Sequence, residues 1–142
     1  MAAALERFRL WSRDPYFDEA TRRELTAIAG DAGEIADRFD GMLAFGTAGL
    51  RGLIGAGTNR INRYMVRLAT KGLADLLRAS GPDAPARGVV IAHDSRRCSA
   101  EFAREAALTL AACGAVAHLW EELRPTPMLS FAVRELGAKA GI

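Results

Sequence analysis

The sequence predicts an α/β protein: a three-layer α/β/α domain with a mostly parallel (mixed) sheet, preceded by a short helical N-terminal extension. In the second half of the chain, short apolar runs typical of buried parallel strands alternate with helical segments. The first forty residues instead space their apolar side chains as a helix does, as at Leu5, Phe8 and Trp11. We therefore expect a helical extension over residues 1–40 and the α/β/α domain over residues 41–142.

The extension is predicted to hold three helices. The first ends where Asp14 and Pro15 break the helical pattern. The second covers residues 19–28. The third opens at Asp31, which together with Glu34 has the spacing of a capping box.

A glycine-rich segment, MLAFGTAGLRGLIGAG over residues 42–57, separates the extension from the next long helix. Glycine at this density indicates backbone that turns sharply or approaches something closely. The following helix is predicted over residues 61–79, with Thr58 or Asn59 as its N-cap.

Three buried parallel strands follow, with helices between them. The apolar runs predict strands over residues 88–92, 115–120 and 138–142. One intervening helix is predicted from an N-cap at Ser99 to Cys113, and another opens at Pro125. Because such crossovers are right-handed, the helices should cover both faces of the sheet.

The composition is that of an ordinary globular protein, with 142 residues, 50% hydrophobic and 25% charged. Cys98 and Cys113 form no CxxC pair and are too few for a secreted disulfide framework. We therefore expect a reducing compartment, the cytoplasm. No apolar run approaches the roughly 20 residues of a membrane span, and the N-terminus lacks the apolar core of a signal peptide. We expect no membrane partner.

The charge is distributed unevenly along the chain. Residues 46–78 contain six basic side chains and a single acidic one, Asp75. A local positive field of this kind suits an anionic ligand. A solvated arginine face is the structural alternative, and charge alone does not decide between them. Nucleic acid is not expected as a partner, because the basic residues are not interleaved with aromatic ones.

The segment FGTAGLRG, residues 45–52, holds the clearest candidate site. Glycines allow backbone N–H groups to face an anion, and the Arg51 guanidinium is a planar fork that suits phosphate oxygens. The segment is neither a Walker A loop nor a GxGxxG motif. The alternative is a hairpin whose glycines serve the turn and whose Arg51 is solvated.

A second candidate follows the strand predicted over residues 88–92. Asp94 and Arg96 come where ligand sites lie in open α/β sheets, at the carboxyl end of a strand. We expect these two side chains to bond each other or to support the neighbouring loop. His93 has no nucleophile beside it and is interpreted as a packed or solvated histidine. No cluster of His, Cys and Asp has metal-ligand spacing.

Taken together, these features resemble the α-D-phosphohexomutases, the phosphoglucomutase/phosphomannomutase family. The resemblance rests on four features in order: FGTAGLRG, a long helix, a strand leading into DSRRCS, and RPTPMLSFAVRELGAKAGI. It extends from about residue 39 to residue 142. The helical lead-in is similar to that of the branch that includes phosphopentomutases.

The resemblance also implies roles for particular residues. The family loop that faces a phosphoserine is matched by Thr47, Gly49 and Arg51. The family's Asp-x-Arg turn, which supports that region, is matched by Asp94 and Arg96. In the family the phosphoserine lies in a Thr-Ala-Ser-His-Asn-Pro-like loop, whose start matches the last two residues here. We therefore expect a C-terminally truncated domain that lacks the phosphoserine and holds no metal ligands.

The function implied by the resemblance is intramolecular phosphotransfer in carbohydrate metabolism, interconverting hexose 1- and 6-phosphates through a phosphoserine and a bisphosphorylated sugar. Mg²⁺ and a hexose 1,6-bisphosphate activator are the implied cofactors. The implied partners are a phosphosugar and the remaining domains of the same polypeptide. We expect the 142-residue chain to be inactive alone and to associate with itself. Two alternatives stay open: a phosphopentomutase-type substrate, and a non-catalytic anion-binding or interaction module of the same fold.

Overall fold

The computed structural model describes residues 2–46 and 49–142, and Cα proximity divides the chain into two compact units, Met1–Met65 and Val66–Ile142. This division does not test the boundary expected after residue 40. No helix among the described residues is both long and apolar enough to cross a membrane. In chain order the elements are α1 (Ala2–Arg13), α2 (Glu19–Ala27), α3 (Ala32–Phe39), β1 (Phe45–Gly46), β2 (Gly49–Leu50), α4 (Arg63–Ala79), α5 (Ala84–Arg87), β3 (Val89–Ile91), α6 (Ser99–Ala112), β4 (Ala117–Leu119), α7 (Thr126–Glu135) and β5 (Ala140–Gly141).

An aromatic core holds the first unit together. Helix α1 contacts both α2 and α3. The Trp11 ring stacks on Phe17, with centroids 4.3 Å apart, and meets the rings of Phe39 and Tyr64 edge-on at 5.7 and 5.4 Å. Aromatic pairs in these arrangements add about 0.5–1.5 kcal/mol each beyond the area they bury. Leu25 from α2 is fully buried in the same core.

Aspartates cap the second and third helices. Asp18 accepts the Thr21 N–H at 2.8 Å and the Tyr64 hydroxyl at 3.0 Å. Burial raises the pKa of Asp18, but these hydrogen bonds and the nearby Arg63 outweigh burial and lower it. At the start of α3, Asp31 accepts the N–H of Glu34, the last residue of the predicted capping box, at 3.0 Å.

Helix α4 begins at Arg63, two residues later than predicted. Its first turn is capped by Asn62, whose Oδ1 accepts the Met65 N–H at 3.0 Å. The prediction that Thr58 or Asn59 provides the cap is therefore wrong. Both side chains bond instead to backbone carbonyls of the preceding segment.

In the second unit, β3 lies at the centre of a three-stranded sheet of order β4-β3-β5. Both pairings are parallel, with Val90 opposite His118 on one side and opposite Gly141 on the other. The three predicted strands are confirmed, although each is shorter than its apolar run. The parallel sheet confirms the predicted fold class.

Helices cover both faces of this sheet. Val89 and Ile91 are buried against α4 and α6. Val90, between them in the strand, faces the opposite way and packs with Ala132 and Ala138 on the α7 side. This alternation of side chains across the strand produces the three layers.

Two local features differ from the sequence expectations. Helix α6 begins at Ser99 itself, and the N-cap is Cys98 in a left-handed conformation with φ of 63°. The prediction of Ser99 as N-cap is therefore wrong, because its hydroxyl bonds to a side chain upstream. The short helix α5 was not predicted. It ends at Arg87, and at its C-cap, Gly88, an added β-carbon would lie 2.4 Å from the Val116 carbonyl oxygen.

Candidate functional site

The glycine-rich segment forms an antiparallel hairpin in the first unit. Strands β1 and β2 pair Phe45 with Leu50 and Gly46 with Gly49. Gly49 has φ of +98°, a conformation that favours glycine. Thr47, one of the predicted site residues, lies outside the described residues. The hairpin expected under the structural alternative is present.

Arg51 follows β2 directly and is exposed to solvent. Within the described part of the chain, no hydrogen bond or ion pair engages its guanidinium. The other five basic residues of segment 46–78 all face carboxylates, so most of the positive field expected there is neutralised. Those pairs are Arg60 with Asp37, Arg63 with Asp18, Arg67 with Glu105, and both Lys71 and Arg78 with Asp75.

The second candidate is the turn that follows β3, residues 93–99, called here the Asp94 turn. Asp94 Oδ1 accepts the Arg96 N–H at 3.0 Å and the Ser99 hydroxyl at 2.9 Å. Its Oδ2 accepts the Arg96 Nε–H at 2.7 Å. The Arg96 backbone N–H, followed by the Ser99 hydroxyl and the Arg96 guanidinium, lowers the pKa of the Asp94 carboxyl. Three donors on one carboxylate fix the shape of this turn at the carboxyl edge of the sheet.

His93 has a connecting role that the sequence did not reveal. Its ring nitrogens lie 3.3 Å from the Asp94 carbonyl oxygen and 3.2 Å from that of Glu121. Its own carbonyl accepts the Arg124 N–H at 3.1 Å. His93 therefore joins the loops that follow β3 and β4. Glu121 and Arg124 lie about thirty residues downstream, so no local pattern could have identified them.

The residues described here contain no group of three or more His, Cys, Asp or Glu side chains that could hold a metal ion. Both cysteines are free and half-buried. Arginine side chains, backbone N–H groups and glycine-rich turns are suited to binding an anion.

Comparison with known proteins places the chain in a family. A family model described as phosphoglucomutase/phosphomannomutase, alpha/beta/alpha domain I, matches residues 42–142. The chain belongs to this family. The match includes both the hairpin with Arg51 and the Asp94 turn. Among solved structures, the comparison finds no significant match.

Three curated relatives illustrate the similarity. A probable phosphoribomutase of Schizosaccharomyces pombe is 39% identical over 127 residues, covering 88% of this chain and 22% of the relative. A phosphoglucomutase of Staphylococcus saprophyticus is 44% identical over 104 residues, covering 73% and 18%. A phosphopentomutase of Mus musculus is 33% identical over 138 residues, covering 93% and 22%. The chain thus spans about a fifth of the length of these relatives.

Proposed function

We propose that this chain forms part of a phosphosugar mutase and that Arg51 binds a phosphate group of the substrate or of the phosphorylated enzyme. The observation that carries the proposal is that Arg51 is exposed on a glycine-rich hairpin and that its guanidinium has no partner among the described residues. The five other basic residues of segment 46–78 are paired with carboxylates, whereas Arg51 keeps its charge available within the described residues. Its position inside the family match supports the same role.

The chemistry of phosphoryl transfer explains why such an arginine is needed. The transferring group carries negative charge on three oxygens, so catalysis depends mainly on positioning and on compensating charge. A guanidinium can donate two parallel N–H bonds to phosphate oxygens. Gly49, two residues before Arg51, leaves room for a ligand to approach the backbone, because an added β-carbon there would meet no described atom within 4 Å.

Asp94 and Arg96 have a different role in this proposal. Because the Asp94 carboxylate holds both the backbone and the side chain of Arg96, it is committed to the turn. We assign the pair to shaping the carboxyl edge of the sheet rather than to contacting the sugar. Thr47 and Gly49 would complete the phosphate-facing hairpin.

For the whole protein, we propose interconversion of hexose 1- and 6-phosphates through a phosphoserine and a bisphosphorylated sugar. The hexose assignment rests on the family description and on the relative named phosphoglucomutase. A pentose phosphate is the second candidate. The relatives named for ribose and pentose match 88% and 93% of this chain, against 73% for the phosphoglucomutase. Parallel assays with glucose 1-phosphate and ribose 1-phosphate would discriminate between them.

We further propose that the 142 residues alone do not catalyse the reaction. The phosphoserine, the Mg²⁺ ligands and the sugar-reading loops of the family would come from the rest of the polypeptide, and this chain is about a fifth of the relatives' length. The described side chains do not fit a metal site. A coupled assay with glucose 1-phosphate, Mg²⁺ and glucose 1,6-bisphosphate should give no turnover that scales with chain concentration. Such turnover would refute the proposal.

Replacement of Arg51 provides the direct test. In the whole enzyme, Arg51→Ala should lower kcat/KM by a factor of about 10² or more, because one charge-stabilising donor is lost. Arg51→Lys keeps the charge but loses the fork, and it should recover only part of the activity. In the 142-residue chain, Arg51→Ala should abolish shifts of the Gly49 and Leu50 amide signals during titration with inorganic phosphate.

The matched control is Arg9→Ala, which removes another exposed arginine of the first unit for which no side-chain partner is seen among the described residues. This variant should keep wild-type turnover and phosphate binding. Equal losses in the two variants would reduce Arg51 to a general contributor to surface charge. A whole protein that binds phosphate at Arg51 but turns over neither sugar phosphate would instead favour the non-catalytic anion-binding module.

A further inference from the structure

The segment that carries Arg51 is pinned at both of its ends. On its upstream side, the Leu43 N–H donates to the Thr58 carbonyl oxygen at 2.8 Å. On its downstream side, the Leu53 carbonyl oxygen accepts the Ile61 N–H at 2.8 Å. Both anchoring partners belong to residues 55–62, called here the holding loop. The position of the hairpin is therefore set by the position of this loop.

The two ends also meet each other. A β-carbon added at Gly52 would lie 2.7 Å from a terminal methyl carbon of Leu43, so the backbone at Gly52 packs directly against that side chain. Ile54 and Ile61 form a parallel β-bridge next to this contact. The two segments at the base of the hairpin are thus in contact with each other.

The holding loop is in turn fastened to α2 and α3. Glu24 Oε1 of α2 accepts the Ala56 N–H at 3.1 Å and pairs with Arg38 Nη1 of α3 at 2.5 Å. The same Arg38 nitrogen donates to the Ala56 carbonyl oxygen at 3.2 Å. Glu24 and Arg38 therefore satisfy both backbone polar groups of one buried residue, Ala56, which is only 2% exposed.

Backbone contacts with the end of α3 complete the attachment. The Arg38 carbonyl oxygen accepts the Asn59 N–H at 2.9 Å, and the Asn59 side-chain amide donates to the Asp37 carbonyl oxygen at 2.9 Å. Gly57 approaches α3 so closely that an added β-carbon would lie 2.7 Å from the Arg38 carbonyl oxygen. Such contacts leave the loop little freedom to shift on the helices.

We propose that Glu24 and Arg38 are positioning residues that fix the base of the hairpin carrying Arg51, and that the helical lead-in is consequently part of the phosphate-binding apparatus. The proposal rests on the proposed function for the role of Arg51, but the holding contacts themselves can be tested without it. An exposed arginine on a hairpin has many conformations, and a binding group must be held to within about 0.5 Å of its productive geometry. The connection from α2 and α3 through the holding loop restrains the backbone that carries this side chain.

Hydrogen exchange in the 142-residue chain tests the holding contacts directly. Glu24→Ala removes the acceptor of the Ala56 N–H and the partner of Arg38. Amide exchange at Leu43, Ala56 and Ile61 should accelerate about tenfold or more, because these groups report opening of the loop. The amide of Leu25, buried in the helical core next to the replaced residue, should change less than about twofold.

Two matched variants distinguish the hydrogen bond between Glu24 and Ala56 from the charge of Glu24 and from a general effect of removing a carboxylate from α2. Glu24→Gln keeps an oxygen that can accept the Ala56 N–H, and it should restore most of the protection. Glu19→Ala removes another carboxylate of α2, one whose ion pair with Arg23 is exposed, and it should leave all four amides unchanged. Inorganic phosphate should bind Glu24→Ala about fivefold more weakly than wild type and Glu19→Ala equally well.

Several outcomes would overturn the proposal. Unchanged exchange in Glu24→Ala would show that the contacts do not hold the loop. Equal acceleration at Leu25 would show global destabilisation rather than local release, and an equal effect of Glu19→Ala would show a general charge effect. If the wild-type chain does not bind phosphate, the proposed function of Arg51 and the link of the helical lead-in to phosphate binding both fail, and the exchange rates then decide only whether Glu24 and Arg38 hold the loop.

Discussion

The holding loop of the first unit and the Asp94 turn of the second unit are restrained in different ways. The holding loop is attached to helices that lie about twenty to thirty residues upstream, and Arg60 within it is only 6% exposed. The Asp94 turn is restrained by its own residues. Its carboxylate bonds to donors two and five residues away, and the side chain of Arg96 remains 83% exposed. One restraint is tertiary and partly buried, and the other is local and solvated.

This difference determines how each region should respond to change. A partly buried contact is less accessible to water, so removing one partner leaves the other polar group with fewer replacements. An exposed contact is replaced by water at little cost. Substitutions at the base of the hairpin should therefore disturb the stability of the first unit, whereas substitutions in the Asp94 turn should disturb only the turn.

The largest effect is expected from Gly57→Ala. Gly57 has φ of +133°, and a β-carbon there would lie 2.7 Å from the Arg38 carbonyl oxygen, so the substitution combines strain with a backbone clash. We expect the free energy of unfolding to fall by about 3 kcal/mol. Urea unfolding followed by circular dichroism measures this change.

Gly41→Ala is the control, because an added β-carbon there would meet nothing within 4 Å, and it should change the free energy of unfolding by less than about 0.5 kcal/mol. Equal unfolding midpoints would contradict tight packing of the loop on α3.

The contrast between the regions also explains what the sequence could predict. The strand β3 and the turn after it were predictable, since a continuous apolar run followed by Asp94 is a local pattern. The contact between Glu24 and Ala56 joins residues 32 positions apart, and no periodicity marks it. The prediction that Thr58 or Asn59 caps α4 is wrong for a related reason. Residues 58, 59 and 62 all have side chains suited to capping, and tertiary bonds to the first two decide the choice.

A smaller effect is expected from Asp37→Ala. This substitution removes the carboxylate that pairs with the buried Arg60 guanidinium, whose side chain is 8% exposed, whereas that of Asp37 is 61% exposed. Because Asp37 is largely solvated, the expected loss is about 1–2 kcal/mol, less than for a fully buried pair. Glu19→Ala breaks a pair with Arg23 that is exposed on both sides and should cost about 0.5 kcal/mol or less. Thermal unfolding of the two variants would test this ranking, and a larger loss in Glu19→Ala would reverse it.

The smallest effect concerns the protonation of Asp94. Its pKa is lowered first by the Arg96 backbone N–H and then by the Ser99 hydroxyl, with the Arg96 guanidinium adding to the shift. Because the folded-state pKa lies below that of the unfolded chain, the unfolded chain binds more protons in this range. The stabilisation of the turn is therefore complete above the ordinary aspartate pKa of about 3.9 and is lost as the pH falls through the folded-state pKa.

Carbon-13 NMR of the Asp94 carboxyl should show a titration midpoint below that ordinary value. Ser99→Ala should raise the midpoint, whereas Ser95→Ala should not, because Ser95 makes no described contact with this carboxylate. A wild-type midpoint at or above the ordinary value would show that water, rather than the turn, is the main partner of Asp94.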